Sequence, residues 1–453
     1  MLNYPYYGKI SSKRWLNIVL EVGMYNRFLT GNLIKSLEDT PVLIVVGARQ
    51  VGKSTLLKNM LSIDATMILD EGPGLSEGGS VKYVTLDDLS TLSAAKTDPD
   101  SFLSQYDNAT LVIDEAQLSP ELLRTIKKFV DSDRKNGKYI LSGSADIMAL
   151  PKMSESLAGR CEIFYMYPLS QTEILNHRKN FVDLSFSENF TTADSKLLAD
   201  TNDFSWLARI MYTGGYPEVL GRKTERISAW FNSYITAIIQ RDVKAISNIS
   251  DITALYTLLE MLARRCGNLL NILDVSRLSS IKNTTLQRYL ALLKSVFIIY
   301  LNKPWHKSID SRLVKTSKVY MNDSGLLCYL LGVSLNDLIG KKSNFTGAIL
   351  ENFIFNELQK QISWSSFHPE IYHFRNINGK EVDFILELRN QKKVGIEVKA
   401  SSTVIDSDFE GLREFSRITK DDFFRGIVLY NGNNTLQFEE NLFAVPIRHM
   451  FHG

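Results

Sequence analysis

Cysteine is scarce in this chain of 453 residues: Cys161, Cys266 and Cys328 lie far apart and form no C-x-x-C pair. That excludes a disulfide framework, gives no zinc-ligand spacing, and makes a reducing cytoplasm the expected compartment. Charge of one sign is missing as well, since 52 Lys+Arg against 50 Asp+Glu leave a formal net charge of +2. Any nucleic-acid surface must therefore be a local patch. No apolar run reaches the roughly 18 residues of a membrane span; Pro41 to Ala48 and Val296 to Leu301 fall far short. The Tyr-rich start carries Lys9, Lys13 and Arg14 without the apolar core of a signal peptide. There is no internal repeat and no low-complexity tract. What is present, 44% hydrophobic and 23% charged residues with 26 Gly and 11 Pro, is a globular profile on a length that suggests about three domains.

The apolar run Val42 to Val46, a glycine loop and Thr55 to Leu61 read as buried strand, turn and helix. Strand-like runs at Val81 to Leu86, Leu111 to Ile113 and Tyr139 to Leu141 follow, separated by helical or polar stretches. The alternation predicts a parallel sheet covered by helices, with Glu71 to Ser80 as a surface loop. Beyond Pro168 the pattern turns helical. Asp183 to Asp203 reads as a connector, Phe204 to Tyr212 and Ile227 to Ser247 as helices, and Leu273 to Leu278 with Thr284 to Lys294 as a helix-turn-helix. Past Phe345 a helix over Ala348 to Gln361 precedes strands at Ile371 to Phe374, Glu381 to Leu388, Val394 to Val398 and Gly426 to Tyr430.

Gly47-Ala48-Arg49-Gln50-Val51-Gly52-Lys53-Ser54 matches G-x-x-x-x-G-K-[ST] and sits between strand and helix, where a phosphate can be wrapped by backbone N–H groups. Gly47, Gln50, Val51, Gly52, Lys53, Ser54 and Thr55 are the expected nucleotide-binding residues. Lys53 supplies a cation to the β- and γ-phosphates and the Ser54 hydroxyl a ligand to Mg²⁺. The strand ending in Asp114 and Glu115 reads as its acidic partner, Asp114 toward Mg²⁺ and Glu115 toward the attacking water. Ser142 and Ser144, at the end of the next strand, are two unranked candidates for sensing the γ-phosphate.

GARQVGKST, VTLDD, IDEAQLSPELL, YILSGSA, ESLAGR and GGYPEVL, in this order, resemble the prokaryotic AAA-type ATPases that carry a C-terminal domain of unknown function, distant relatives of archaeal and STAND-type NTPases. The resemblance implies ATP and Mg²⁺ as cofactors. It implies a P-loop NTPase parallel sheet over 1–170, a helical region over 171–250, a winged-helix-like region over 251–340 and a restriction-endonuclease-like α/β domain over 341–453. It also implies that Arg160 reaches a γ-phosphate, often from a neighbouring subunit of a homo-oligomer. Gly214-Gly215-Tyr216-Pro217 reads only as a tight turn that places a helix.

The helix-turn-helix presents Lys282, Gln287, Arg288 and Lys294, residue types that meet phosphates and base edges. Arg264, Arg265, Lys303, His306, Lys307, Arg312, Lys315 and Lys318 add to a basic stripe suited to DNA. At the C-terminal end, Glu397 and Lys399 are two apart on one strand and so share a face, with Asp383 on the preceding hairpin strand. With Glu351 on the upstream helix, this layout resembles the PD-(D/E)xK nuclease-like superfamily. The resemblance implies a divalent metal at Glu351, Asp383 and Glu397, and Asp383, Glu397 and Lys399 as catalytic groups; Val382 stands where that pattern has a proline. The alternative is a cross-strand ion pair of Lys399 with Glu397 or Asp383 that needs no metal. The functional expectation is an ATP-hydrolysing AAA-type enzyme coupled to a DNA-binding, metal-dependent nuclease half, against a switch or scaffold whose nuclease-like domain is catalytically silent.

Overall fold

A computed structural model describes residues 25–62, 80–145, 157–188, 190, 204–243, 252–308 and 316–451. The Tyr-rich start, nearly all of the expected loop at 71–80, and Arg312 and Lys315 lie outside the described residues. The chain divides into two compact units: the first runs to Met166 and takes in Glu173–Asn176, and the second holds Tyr167–Thr172 and everything from His177 on.

In the first unit, β1 (Val42–Val46), β2 (Ser80–Thr85), β3 (Ala109–Asp114), β4 (Tyr139–Gly143) and β5 (Cys161–Tyr165) form a five-stranded sheet in the order β2-β3-β4-β1-β5. Every neighbouring pair is parallel. β1 and β4 are buried along their whole length, as expected for central strands with both faces covered. The helix Pro120–Ser132 starts on a proline, which loses nothing by lacking an N–H in a first turn. It lays Leu122, Leu123, Ile126 and Val130 into the core, each contributing about 1.5–3 kcal/mol through burial. The fifth strand departs from the four runs legible in the sequence. Cys161–Tyr165 is an edge strand, mostly half-exposed, and so lacks the continuous apolar run that marks a buried one.

The order of strands sets the chemistry, because β4 lies between β1 and β3. The loop after β1, the acids that end β3 and the hydroxyls that end β4 therefore meet at one edge of the sheet, at the carboxyl ends of its strands.

In the second unit the expected helices appear as Phe204–Thr213 and Thr224–Ala237, the latter running into a π-helical turn, Ile238–Val243. The helix-turn-helix expectation corresponds to Ile272–Ser279 and Asn283–Ser295. An antiparallel ribbon follows, β6 (Ile299–Asn302) with β7 (Lys318–Met321). The expected connector begins inside a helix, Phe181–Ser185, capped by the Asn180 side chain. Phe181, Val182 and Ser185 are buried there, and the carbonyl of Ser185 accepts from Arg425 Nη1 at 2.6 Å.

After the helix Thr346–Ile362 comes a six-stranded sheet ordered β12-β13-β11-β10-β9-β8. Its strands are β8 (Glu370–Arg375), β9 (Glu381–Glu387), β10 (Lys393–Lys399), β11 (Phe423–Tyr430), β12 (Leu436–Glu439) and β13 (Leu442–Pro446). β8, β9 and β10 are antiparallel, whereas β10, β11 and β13 run parallel. The helix Glu410–Thr419 makes the crossover from β10 to β11 and buries Leu412 and Phe415 against Val382, Ile385 and Val428. The helix Thr346–Ile362 also carries buried Asn352, Asn356, Glu357, Lys360 and Gln361, and each finds a partner. Asn352 Oδ1 accepts from the Met321 amide at 2.8 Å, Glu357 Oε2 from that of Gln171 at 2.9 Å, and Lys360 Nζ donates to the Leu169 carbonyl at 3.0 Å. Satisfied in this way, polar groups lock a unique packing rather than weaken it.

Candidate functional site

The loop between β1 and the helix Lys53–Ser62 owes its course to two glycines. A Cβ on Gly47 would stand 2.0 Å from the Met166 carbonyl oxygen, and Gly52 has φ +98°, a conformation closed to other residues. Gln50 also adopts a left-handed conformation, φ 61°. The loop folds back over Lys53, whose ammonium is buried and donates to the carbonyls of Gly47 at 2.8 Å and Ala48 at 2.9 Å. Val51 is buried, and in the first turn of the helix that opens at Lys53, Ser54 is half-buried and Thr55 exposed.

Asp114 at the end of β3 is the hub. Its Oδ2 accepts from Ser54 Oγ at 2.6 Å and from Tyr83 Oη at 2.6 Å, and its Oδ1 accepts from Ser142 Oγ and from the Glu115 amide at 3.1 Å. Burial alone would raise this carboxyl, but the hydroxyls of Ser142, Ser54 and Tyr83 and the charge of Lys53 reverse it, holding Asp114 below its ordinary value. It is an anion at neutral pH beside a serine hydroxyl, a donor pair that suits Mg²⁺ with phosphate oxygens completing the shell. Tyr83 had no signal in the sequence. Its hydroxyl is pushed up by burial and by Asp114, so it remains a donor.

Glu115 has φ 57° and ψ 41°, a left-handed conformation that is costly for a residue with a Cβ. Its Oε2 accepts from Gln117 Nε2 and, at 3.1 Å, from Ser144 Oγ, while Gln117 Nε2 also lies 3.1 Å from Ser144 Oγ. The two serines are thus separated by geometry: Ser142 serves the aspartate, Ser144 the glutamate.

Arg160 is placed elsewhere. Its carbonyl accepts from the amide of Val42, at the start of β1, whereas the phosphate loop follows the other end of that five-residue strand. At about 3.3 Å per residue the two ends lie roughly 13 Å apart. The guanidinium is held by Asp131, with Nη2 donating to Oδ2 at 3.0 Å, and by the Ala158 carbonyl at 2.9 Å. Within one chain Arg160 therefore stands at the opposite end of β1 from the phosphate loop.

The second unit assembles the other expected constellation, with an addition that changes its chemistry. Glu351, Asp383 and Glu397 do converge, and Lys399 Nζ donates to Glu397 Oε1 at 3.0 Å, an ion pair of the metal-free alternative made along β10 and not across strands. Between the carboxylates, however, lies Lys318 of β7. Its Nζ is 3.0 Å from Glu351 Oε1, 2.5 Å from Glu381 Oε1 and 3.4 Å from Asp383 Oδ1. Placed by sequence in an exposed basic stripe, Lys318 is 2% exposed. The basic stripe is corrected accordingly: Lys282, Gln287, Arg288, Lys294, Arg264, Lys303 and Lys307 are exposed, and Lys318 belongs to the acidic cluster.

Burial alone would lower Lys318, but Asp383, Glu351 and Glu381 reverse it and hold it charged. Burial first, then the neighbouring Asp383, pushes Glu351 and Glu397 above the usual carboxylate range. Glu397 Oε2 is buried without a partner, whereas Asp383 Oδ2 accepts from the Val398 amide at 3.0 Å and Glu351 Oε1 from Tyr320 Oη at 2.7 Å.

These residues do not fit the divalent ion that the nuclease-like resemblance implies. An ammonium lies among the carboxylates that would ligate it, within 3.4 Å of Glu351, Glu381 and Asp383, so its N–H donors already take oxygens that an ion would need. Among the described residues no group of three or more His, Cys, Asp or Glu side chains is arranged to hold a metal ion. Nor is any helix among them long and apolar enough to cross a membrane.

Comparison with known proteins divides the chain in three. Residues 39–175 match a family model described as AAA domain, residues 205–337 one described as a domain of unknown function (DUF8612), and residues 346–450 another domain of unknown function (DUF4143). Uncharacterized proteins of Mycobacterium bovis and Mycobacterium tuberculosis are each 26% identical over 422 residues, 93% of this chain and 83% of theirs. One of Haemophilus influenzae is 23% identical over 361 residues, 78% of this chain and 81% of its own. Among solved structures, a Walker-type ATPase of Pyrococcus abyssi aligns over 68% of this chain and 96% of its own, at 15% identity and a TM-score of 0.37. A STAND protein with a tetratricopeptide repeat sensor from Pyrococcus horikoshii aligns over 78% of this chain and 50% of its own, at 13% identity and 0.23. With its phosphate loop, its acidic strand end and the family model over 39–175, the first unit contains an AAA-type ATPase-like domain.

Proposed function

We propose that this protein binds ATP with Mg²⁺ and hydrolyses it. The observation that carries the reading is the convergence of Lys53, Ser54, Asp114 and Glu115 at the carboxyl end of one parallel sheet, with Ser54 Oγ 2.6 Å from an ionised Asp114. Lys53 exchanges its carbonyl partners for the β- and γ-phosphates, Ser54 and Asp114 hold the metal, and Glu115 accepts a proton from the attacking water, oriented by Gln117 and Ser144. Mg²⁺ supplies charge neutralisation on the phosphates. Steady-state phosphate release by the full chain tests this. Lys53→Ala should lower it by at least about 100-fold, and turnover indifferent to Lys53 and Asp114 would refute the assignment.

The nucleotide cycle is proposed to control a nucleic-acid-binding second half. Exposed Lys282, Gln287, Arg288 and Lys294 on a helix pair followed by a two-stranded ribbon support a winged-helix-like docking surface for DNA. Loss of DNA binding in Arg288→Ala with Lys282→Ala, and a binding constant that falls steeply with salt, are the expected outcomes. For the C-terminal domain, Lys318 among the carboxylates favours the second reading, a nuclease-like fold that is catalytically silent and serves as a binding module. Incubating plasmid and single-stranded DNA with Mg²⁺ or Mn²⁺, with and without ATP, decides it. Cleavage abolished by Lys399→Ala would restore the nuclease.

A further inference from the structure

Lys318 is fixed from several sides. Its backbone pairs with Asn302 of β6 and forms a bridge with Leu269, which delivers the side chain into the cluster from the 205–337 segment. The carboxylates come from the 346–450 segment: Glu351 on its helix, Glu381 and Asp383 on β9. An ammonium has three N–H donors, and three carboxylates stand within 3.4 Å of this one. Arg375 Nη1 lies a further 3.6 Å from Glu381 Oε2, and Lys399 pairs with Glu397 and, at 3.8 Å, with Asp408.

We propose that Lys318 is the resident cation of the C-terminal carboxylate cluster: its ammonium holds the position a divalent ion would occupy, so the charge of Glu351, Glu381 and Asp383 is partly offset from within the chain and no divalent ion is taken up there. The inference rests on the catalytically silent reading and supplies its chemical reason. Removal of the ammonium, with the carboxylates left in place, converts the cluster into a divalent-cation site.

The test is Mn²⁺ uptake by the full-length, nucleotide-free protein, read from the electron paramagnetic resonance signal of free Mn²⁺, in an Asp114→Asn background that removes the phosphate-loop site. With Lys318 intact, adding Asp383→Asn should leave uptake unchanged. Lys318→Met should gain a further Mn²⁺ per chain, which Asp383→Asn then removes. Mn²⁺ bound by the Lys318 chain and lost on Asp383→Asn overturns the proposal, as does a folded Lys318→Met chain that gains none. Should Lys318→Met fail to fold, as circular dichroism would show, the comparison with Lys318 intact still decides. DNA cleavage measured on the same samples separates the two readings. Cleavage that needs Asp383 without Mn²⁺ uptake overturns only the silent reading, whereas Asp383-dependent uptake without cleavage overturns only the resident lysine.

Discussion

Two clusters of acids are built in opposite ways. Asp114 is a single carboxylate fed by neutral hydroxyls from Ser54, Ser142 and Tyr83, with a lysine near enough to favour its charge. Donors of that kind keep a carboxylate ionised and can be exchanged for a metal's attraction. Glu351, Glu381, Asp383 and Glu397 crowd one another around buried Lys318, and Glu351 and Glu397 are driven toward the protonated form by burial and by Asp383. The same residue type thus becomes a ligand in waiting in one unit and half of an internal salt in the other. The number of acids does not decide between these outcomes; what stands between them does.

The largest break in the comparison should come from the first unit's chemistry. Asp114→Asn keeps the shape but removes the charge that the hydroxyls sustain, and steady-state turnover is expected to fall by about 100-fold or more. Next comes stability in the second unit. Lys318→Met leaves three carboxylates facing one another, and a denaturant titration at neutral pH should show a loss of about 3–5 kcal/mol, shrinking as the acids take up protons in more acidic solution. A third outcome concerns pH alone. Glu351 and Glu397 hold protons more tightly folded than unfolded, so their contribution is fully present below the unfolded value and is lost as pH rises through the folded one. Asp114 has the opposite sign, its contribution present above the unfolded value and lost as pH falls. The difference in melting midpoint between the unsubstituted chain and Glu351→Gln, and that between it and Asp114→Asn, should therefore change in opposite directions between acid and neutral solution.

The smallest effect is expected at Arg160. Its pair with Asp131 is solvent-exposed and screened, so Arg160→Ala should leave the melting midpoint nearly unchanged. If turnover nonetheless falls and is restored by mixing with a Glu115→Gln chain, the arginine acts between copies, in trans.

The first unit was the more legible of the two, for a physical reason. A phosphate loop needs its glycines, lysine and serine consecutively, so Gly47 to Thr55 announce themselves, and buried parallel strands such as Val42–Val46 are continuous apolar runs. Cys161–Tyr165 escaped because an edge strand needs no such run, and Tyr83 because its partner Asp114 lies on another strand. In the second unit Phe204–Thr213, Thr224–Ala237, the pair Ile272–Ser279 and Asn283–Ser295, Thr346–Ile362 and four of the six strands of the C-terminal sheet were legible from their periodicities, and Glu351, Asp383, Glu397 and Lys399 from their spacing, whereas the crossover helix Glu410–Thr419 was not. The cation among them was not, since Lys318 looks like any other member of a basic stretch until β7 is paired with β6.

The sequence by itself determined the phosphate-loop motif, the strand-helix alternation of the first unit and the identity of the C-terminal acids, because each is written in residues close together along the chain. Only the tertiary structure decided that Ser142 serves Asp114 while Ser144 serves Glu115, that Arg160 pairs with Asp131, and that Lys318 fills the acidic cluster. Those outcomes depend on strand order and on contacts between distant residues, which set the electrostatic surroundings of a charge and leave no periodic trace in the sequence.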